Sequence, residues 1–477
     1  MPSQIDKWLN SFACAAIVSS MVAVCVVLLG LNVPLGDDDL FWWFPSAMWS
    51  AETGLSFVAE LPSFALMSGV DGLEIPRQWS DGLPDYGHPP LWFWWLSLWI
   101  SILGQSAVAA HVAVLPVAAL FGWGVAVLLR RLGGNLAPWG ATAIVLLPSV
   151  QAQLVAADTD VPVLMMSVWA LVFLMDRRLV RFGLISSLAV WCKEPAVLLA
   201  IPALAVVIYD RRWSWSWLAP IGALGAWGAV HWYISGWALA GSERLPGSLL
   251  GWLSDLADVS WFVFGAQGRW LVVVFVGISL IRVRPGINRA WVIVGSYLAS
   301  HILFYSTVNF LGGIERESQE THLRYLNGPT VLAGVAGIAA APIVGVPLLG
   351  LSLWNTYRPV GLGPEGSMCG AETEMAMFEL ADFLAGTEGQ VWVGSYAYTQ
   401  LTRPYAGVVK SPVFGLRTYN VDTDPEEVSG IVVHKANGEP LGRLQELDLV
   451  EIERFGHDCG WVRVLEVGSV VRSPPVP

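Results

Sequence analysis

Charge is scarce in this sequence. Only 13% of its 477 residues are Asp, Glu, Lys or Arg while 55% are hydrophobic, and the mean hydropathy is +0.57. That balance excludes an ordinary water-soluble globular protein. Positive charge is scarcer still: 26 Lys and Arg stand against 38 Asp and Glu, giving a net charge of −12 and a pI near 5.0. Such a chain is a poor partner for nucleic acid. There is no G-x-x-x-x-G-K phosphate loop and no G-x-G-x-x-G fingerprint, so nothing in the sequence cradles a nucleotide. No small-residue cleavage site of the A-x-A kind precedes the aspartates at 37–39. The first apolar run, residues 12–35, therefore reads as a retained membrane span and not as a signal peptide. Cysteine is sparse as well. Cys14, Cys25 and Cys192 lie in or near apolar runs and act as small hydrophobes. Cys369 and Cys459, in the polar tail, can pair if that tail faces an oxidising compartment.

Tryptophan, by contrast, is abundant. The 26 indoles suit a chain that crosses two water–lipid interfaces many times, because the ring settles at the headgroup level. The basic residues come in clusters, Arg130/Arg131, Arg177/Arg178/Arg181, Arg211/Arg212 and Arg282/Arg284/Arg289, and these with Lys7 read as cytoplasmic. Residues 36–105 then form the first extracytoplasmic loop, where Asp37, Asp38, Asp39, Glu52, Glu60, Asp71, Glu74, Asp81 and Asp85 face the single Arg77. Counting residues 90–104 as a span would put Arg130 and Arg131 outside, so this run reads as a re-entrant or interfacial helix. Further spans are expected near 106–129, 136–150, 161–175, 214–235, 259–281 and 290–310, with a short hairpin within 182–209.

The run 327–354 is either one tilted span or a hairpin broken at Ala341-Pro342, and the hairpin, which leaves the acidic tail outside, is preferred. Residues 1–355 thus form a membrane domain and residues 356–477 a small soluble domain. In the tail, 372–385 has helical spacing of Met, Phe and Leu, while QVWVGS, GIVVHK and WVRVLEV read as strands. Roughly a hundred residues suffice for an α/β unit with its own core.

Polar residues of chemical interest gather on the outer side of this topology. Lys193 sits between two apolar halves of a hairpin, where an unpartnered charge costs about 3 kcal/mol. It calls for an anion, either a ligand phosphate or a salt bridge to Glu194 or to a first-loop aspartate. Asp158 and Asp160 end a span on the same side and either cap the helix starting at 161 or serve a site directly. Asp37, Asp38 and Asp39 abut the aromatics of FWWFPSAMW, low-dielectric surroundings for a general base or a cation ligand, or else they cap the following helix. Pro89 holds His88 extended at a loop–helix junction.

These residues, in this order, resemble the membrane glycosyltransferases of the GT-C fold, in the group of protein O-mannosyltransferases and lipid A aminoarabinose transferases. DYGHPPLWFWW is similar to that group's His-Pro-Pro-Leu loop, WCKEPAVLLAIPAL to its lysine segment, and HLRYLNGP to its late Arg-Tyr-Leu motif. The likeness spans roughly residues 10–340. The family's first-loop Asp-Glu is not reproduced cleanly: the register places either Asp39 alone or the Asp37-Asp38 pair there.

The resemblance implies a polytopic helical protein of about 10–11 transmembrane helices, with interfacial helices in the first outer loop and a small C-terminal α/β domain. It also implies an inverting sugar transfer from a polyprenyl-phosphate donor to a lipid, glycan or protein acceptor, on the extracytoplasmic face of the inner (plasma) membrane. Asp37, Asp38 or Asp39 would be the base, or, at Asp39, a ligand for Mg, Mn or Zn. His88, Asp158, Asp160, Lys193, Glu194, Arg324 and Tyr325 would bind substrate, with Lys193 and Arg324 on the phosphate. The competing readings are a transporter, which predicts paired interrupted helices that the sequence lacks, and a non-catalytic membrane scaffold.

Overall fold

A computed structural model describes residues 12–36, 44–54, 89–133, 137–235, 249–265, 269–270, 273–274, 288–307, 326–356, 368–387, 389–402, 406–410, 413, 415–419, 423–435, 441–456 and 460–468. The helical part opens with α1 (Phe12–Leu29), which packs along α4 (Ala107–Gly133). Their contact is built from small residues. A Cβ on Gly122 would lie 2.5 Å from the carbonyl oxygen of Ser19. The backbones are therefore close enough for Ser19 to donate to the Gly122 carbonyl at 2.9 Å and Ser20 to the Ala119 carbonyl at 2.9 Å. Where no hydrophobic effect drives helices together, close packing and interhelical hydrogen bonds of this kind hold them.

Between these two helices in sequence lie α2 (Phe44–Thr53) and α3 (Leu91–Leu103). α3 has 13 residues, about 20 Å of helix, too short for the ~30 Å hydrocarbon core. Gly104, at φ +86, turns the chain straight into α4. The re-entrant or interfacial reading of this run fits that length. α4 and α1 are the two helices, among the described residues, that are long and apolar enough to cross a membrane alone.

The expected span at 136–150 is a correction. It is broken into a turn (Ala137–Gly140), α5 (Ala141–Val145) and α6 (Pro148–Val155). Pro148 forbids helical backbone at Leu147, which is extended at φ −55, ψ 132. α6 then meets α7 (Asp160–Met175) at 120°, and the pair is a third candidate crossing only if counted as one bent span.

The predicted hairpin at 182–209 is built from α8 (Leu179–Cys192), a turn (Glu194–Leu199) and α9 (Ala200–Asp210), with Lys193 at the break. Its far end is tied down by charge: Asp210 pairs with Arg289 and, at 3.5 Å, with Arg177. α10 (Leu218–Ser235), α11 (Leu249–Phe264) and α12 (Arg289–Thr307) complete this side of the bundle.

α13 (Asn327–Ala340) and α14 (Gly345–Asn355) form the hairpin broken at Ala341, whose backbone is extended. Its apex lies against Gly133 at the end of α4. Its two feet both reach α6, where Asn327 donates to the Ser149 carbonyl at 3.5 Å and Gln151 donates to Thr356 at 3.1 Å. The chain thus enters its C-terminal part from the end of the bundle where α6 and α7 meet.

That part is a helix α15 (Cys369–Ala385), a short helix α16 (Ser395–Thr402) and a five-stranded sheet, β1 (Val391–Gly394), β2 (Leu416–Tyr419), β3 (Ile431–Lys435), β4 (Leu449–Gly456) and β5 (Trp461–Val467), in the order β2-β1-β3-β5-β4. β2, β1 and β3 are parallel, and β5 and β4 close the sheet as an antiparallel pair. Alternate residues feed alternate faces: Val433 packs under α15 with Met377 and Leu380, while Val432 joins Trp392 and Leu465 opposite. Edge strand β4, LVEIERFG, alternates with charge and is mostly exposed, which hid it among the predicted strands and guards the edge. Cys369 is disulfide-bonded, whereas Cys14, Cys25 and Cys192 are free; Cys459 lies outside the described residues.

The two parts are latched by buried polar groups. Gln400 donates to the Leu35 carbonyl at 2.8 Å and also to Glu374, and Lys435 reaches both oxygens of Glu374 at 2.7 and 2.8 Å. Leu35 returns its own N–H to the Ala406 carbonyl at 2.9 Å. A Cβ at position 36 would lie 2.6 Å from Glu374 Oε1, so any larger residue there would displace the Glu374 carboxylate.

Candidate functional site

The most informative polar residues meet where α7 begins. α8 stops at Cys192, and Lys193 takes an extended conformation (φ −161, ψ 132) before the turn that Pro195 helps to start. This lets the lysine side chain cross to α7, where Nζ lies 2.6 Å from Asp160 Oδ1. Both groups are out of water, with side chains 3% and 11% exposed. Asp160 is the first residue of α7, where the helix N-terminus favours a carboxylate. An anion for Lys193 is thus present in Asp160, brought within reach by the 120° bend that turns the start of α7 toward α8, while the first-loop aspartates lie outside the described residues. Asp158 holds the residue before the helix, since its Oδ1 accepts from the Thr159 N–H and, at 3.0 Å, from the Thr159 hydroxyl.

α12 supplies the facing wall. Tyr297, His301 and Tyr305 recur every fourth residue, so they share one helix face. The rings of Tyr297 and His301 stack with centroids 3.9 Å apart and 26° between planes, and His301 and Tyr305 follow at 6.3 Å. His301 Nδ1 lies 3.0 Å from the Tyr297 carbonyl, which orients the imidazole. Asn327 and Gly328, opening α13, close the space, and the Tyr297 hydroxyl would be 2.8 Å from a Cβ at Gly328. The cavity measures 40 Å³, room for on the order of three waters. It joins one cation, one carboxylate and an aromatic ladder.

Of the residues singled out in the sequence, Lys193 and Asp160 come together here. Asp158 is buried beside them, and Glu194 opens the adjoining turn without lining the cavity. Asp37, Asp38, Asp39, His88, Arg324 and Tyr325 lie outside the described residues. So does the position proposed to hold a metal, Asp39; among the described residues no group of three or more His, Cys, Asp or Glu is gathered as a metal site. Tyr297, His301, Tyr305 and Asn327 were not foreseen. The signal for the first three was present as aromatic spacing in SYLASHILFYS, inside what reads as a plain apolar span.

No protein-family model and no curated protein matches the sequence. Solved structures do. ArnT from Cupriavidus metallidurans bound to undecaprenyl phosphate is similar with a TM-score of 0.54 at 12% identity, over 95% of this chain and 98% of that one. The chain has the GT-C fold. Apo ArnT (TM-score 0.48, 15% identity, 98% and 99% covered) and the apo oligosaccharyltransferase of Archaeoglobus fulgidus (TM-score 0.48, 9% identity, 91% and 70% covered) are also similar. Because the ArnT likeness covers nearly the whole of both chains, the GT-C fold here includes the C-terminal sheet as well as the helices.

Proposed function

We propose that this protein is a multi-pass membrane glycosyltransferase that moves a sugar from a polyprenyl-phosphate donor to an acceptor at the extracytoplasmic face. The observation that carries the reading is the Lys193–Asp160 pair, a buried cation on the wall of a cavity, in a chain whose fold matches an ArnT structure bound to undecaprenyl phosphate. An incoming phosphate takes the place of Asp160 as the lysine's partner, and the cation stabilises negative charge developing on the leaving phosphate. The aromatic ladder supplies flat faces for an isoprenoid or a sugar ring.

In this reading residues 1–355 are the catalytic membrane domain and 356–477 an extracytoplasmic domain, with about 10–11 spans in all. The inner (plasma) membrane is its location. One of Asp37, Asp38 and Asp39 acts as base on the acceptor hydroxyl, with inversion at the anomeric carbon, or holds a divalent cation there. His88, Arg324 and Tyr325 join the substrate site. The latch at Leu35 supports the topology, because it puts the C-terminal domain at the root of the acidic loop.

The test is transfer from a radiolabelled panel of polyprenyl-phosphate sugars to endogenous membrane acceptors. Wild type is compared with Asn substitutions at Asp37, Asp38 and Asp39. Loss at one or two positions by about 10²–10⁴-fold, at equal protein levels, is the expected result for a general base. Normal transfer by all three variants overturns the carboxylate mechanism.

A further inference from the structure

We propose that a recess at the far end of α7 binds the phosphate headgroup of an anionic membrane lipid, at a second site separate from the Lys193 cavity. The two sites are separated by the length of the helix. Asp160 lines the first, and Trp169, Phe173 and Asp176 line the second, about 20 Å away along α7 at 1.5 Å rise per residue.

The recess has a volume of 260 Å³, just under the roughly 300–1,000 Å³ of a drug-sized ligand pocket and suited to a headgroup. Its lining carries three guanidiniums, Arg130, Arg131 and Arg178, against the one carboxylate of Asp176. Arg131 is committed, with Nε and Nη2 at 2.8 and 3.0 Å from the two oxygens of Asp176. Arg130 and Arg178 are exposed, and among the described residues neither pairs with a carboxylate. Two positive charges are therefore in excess around the opening.

The rest of the lining says what kind of anion fits. Trp169 and Phe173, one turn apart, have ring centroids 5.7 Å apart. Arg130 lies 5.2 Å over the Phe12 ring, and Arg181, just outside the recess, lies 6.0 Å over Phe173. Aromatic faces thus hold the guanidiniums at the rim by cation–π attraction while they form an apolar slope below it. Val127 and Val172 continue that slope into the seam between α4 and α7. A free phosphate uses only the rim; a phosphate carrying an apolar chain uses both. Basic pockets between membrane helices take anionic lipid headgroups for this reason.

The proposal stands apart from the transfer reaction and is tested without it. Full-length protein, delipidated in detergent, is offered phosphatidylglycerol or phosphatidylcholine, and retained lipid is counted by native mass spectrometry. Wild type is expected to favour phosphatidylglycerol roughly thirtyfold, from two arginines at about 1 kcal/mol each. Arg130→Gln/Arg178→Gln loses the preference, each single variant loses part of it, and Lys193→Ala keeps it. Millimolar inorganic phosphate leaves the bound lipid in place. Undiminished preference in both single variants and the double variant, or equal loss in Lys193→Ala, overturns the site, and complete displacement by inorganic phosphate overturns the lipid as its occupant.

Discussion

The His301 ring lies nearly flat on Tyr297, one helical turn away, at 3.9 Å between centroids. A stacked aromatic pair contributes about 0.5–1.5 kcal/mol beyond its buried area, which corresponds to a two- to tenfold change in an equilibrium. His301→Leu and Tyr297→Leu are therefore expected to raise the KM for the polyprenyl-phosphate sugar by about that factor, with kcat nearly unchanged. Initial rates at varied donor concentration measure this. A fall in kcat at constant KM would instead assign the ladder to the chemical step.

Lys193 and Asp160 are expected to behave as a unit in stability. Removing one partner of a buried pair costs about 3–5 kcal/mol, while replacing both with apolar residues is often near neutral. Asp160→Leu and Lys193→Met should each lower the thermal midpoint in detergent, and the double variant should recover most of the loss. All three should fail to transfer sugar. Additive destabilisation in the double variant would mean that the two charges do not depend on one another.

How much of this was legible follows from which interactions are local. Lys193 stood out because a charge in an apolar run needs an anion, and the hairpin break at Ala341 was visible from Pro342. The partner of Lys193 was hidden, because it depends on the bend at residues 156–159, where Ala157 takes φ +51. A left-handed alanine has no sequence signature of the kind a glycine gives. The broken span at 136–150 was readable in principle from Pro148, but its hydropathy outweighed that single residue. β4 was missed because its side chains are charged, and a strand at a sheet edge needs no buried face to keep its ladder.

In the C-terminal domain, His434 on β3 meets Trp461 edge-on at 5.3 Å, with Arg463 stacked 3.9 Å over the same Trp461. Burial, and then the nearby Arg463 charge, pushes the His434 pKa down to about 4. The unfolded chain binds this proton at about 6.5, so the unfolded state holds more protons between those values. The domain should keep this stabilisation above pH 6.5 and lose it progressively as pH falls toward 4. Melting curves at pH 7 and pH 5 should show a larger acid shift for wild type than for His434→Phe. Identical shifts would remove His434 as the titrating group.

Thiol chemistry offers a check on the tail. Cys14, Cys25 and Cys192 are free and Cys369 is disulfide-bonded, in a chain of five cysteines. Alkylation of the denatured, unreduced protein is expected to label three thiols, and alkylation after reduction all five, as read by intact mass. Five labels before reduction would contradict the bond and the oxidising compartment proposed for the tail.

The latch between Leu35 and Gln400 also sets an order of events during biosynthesis. The two residues are 365 positions apart, and at about 5–20 residues per second the ribosome needs roughly 20–70 s to travel between them. Throughout that interval the segment that follows α1 has been synthesised while the amide that anchors its root has yet to be made. A nascent chain can therefore insert its helices early, but the end of α1 is fastened only when the last hundred residues have been translated and folded. Maturation of the site is tied to completion of the polypeptide, so premature termination anywhere before α16 leaves an inserted but unfastened protein.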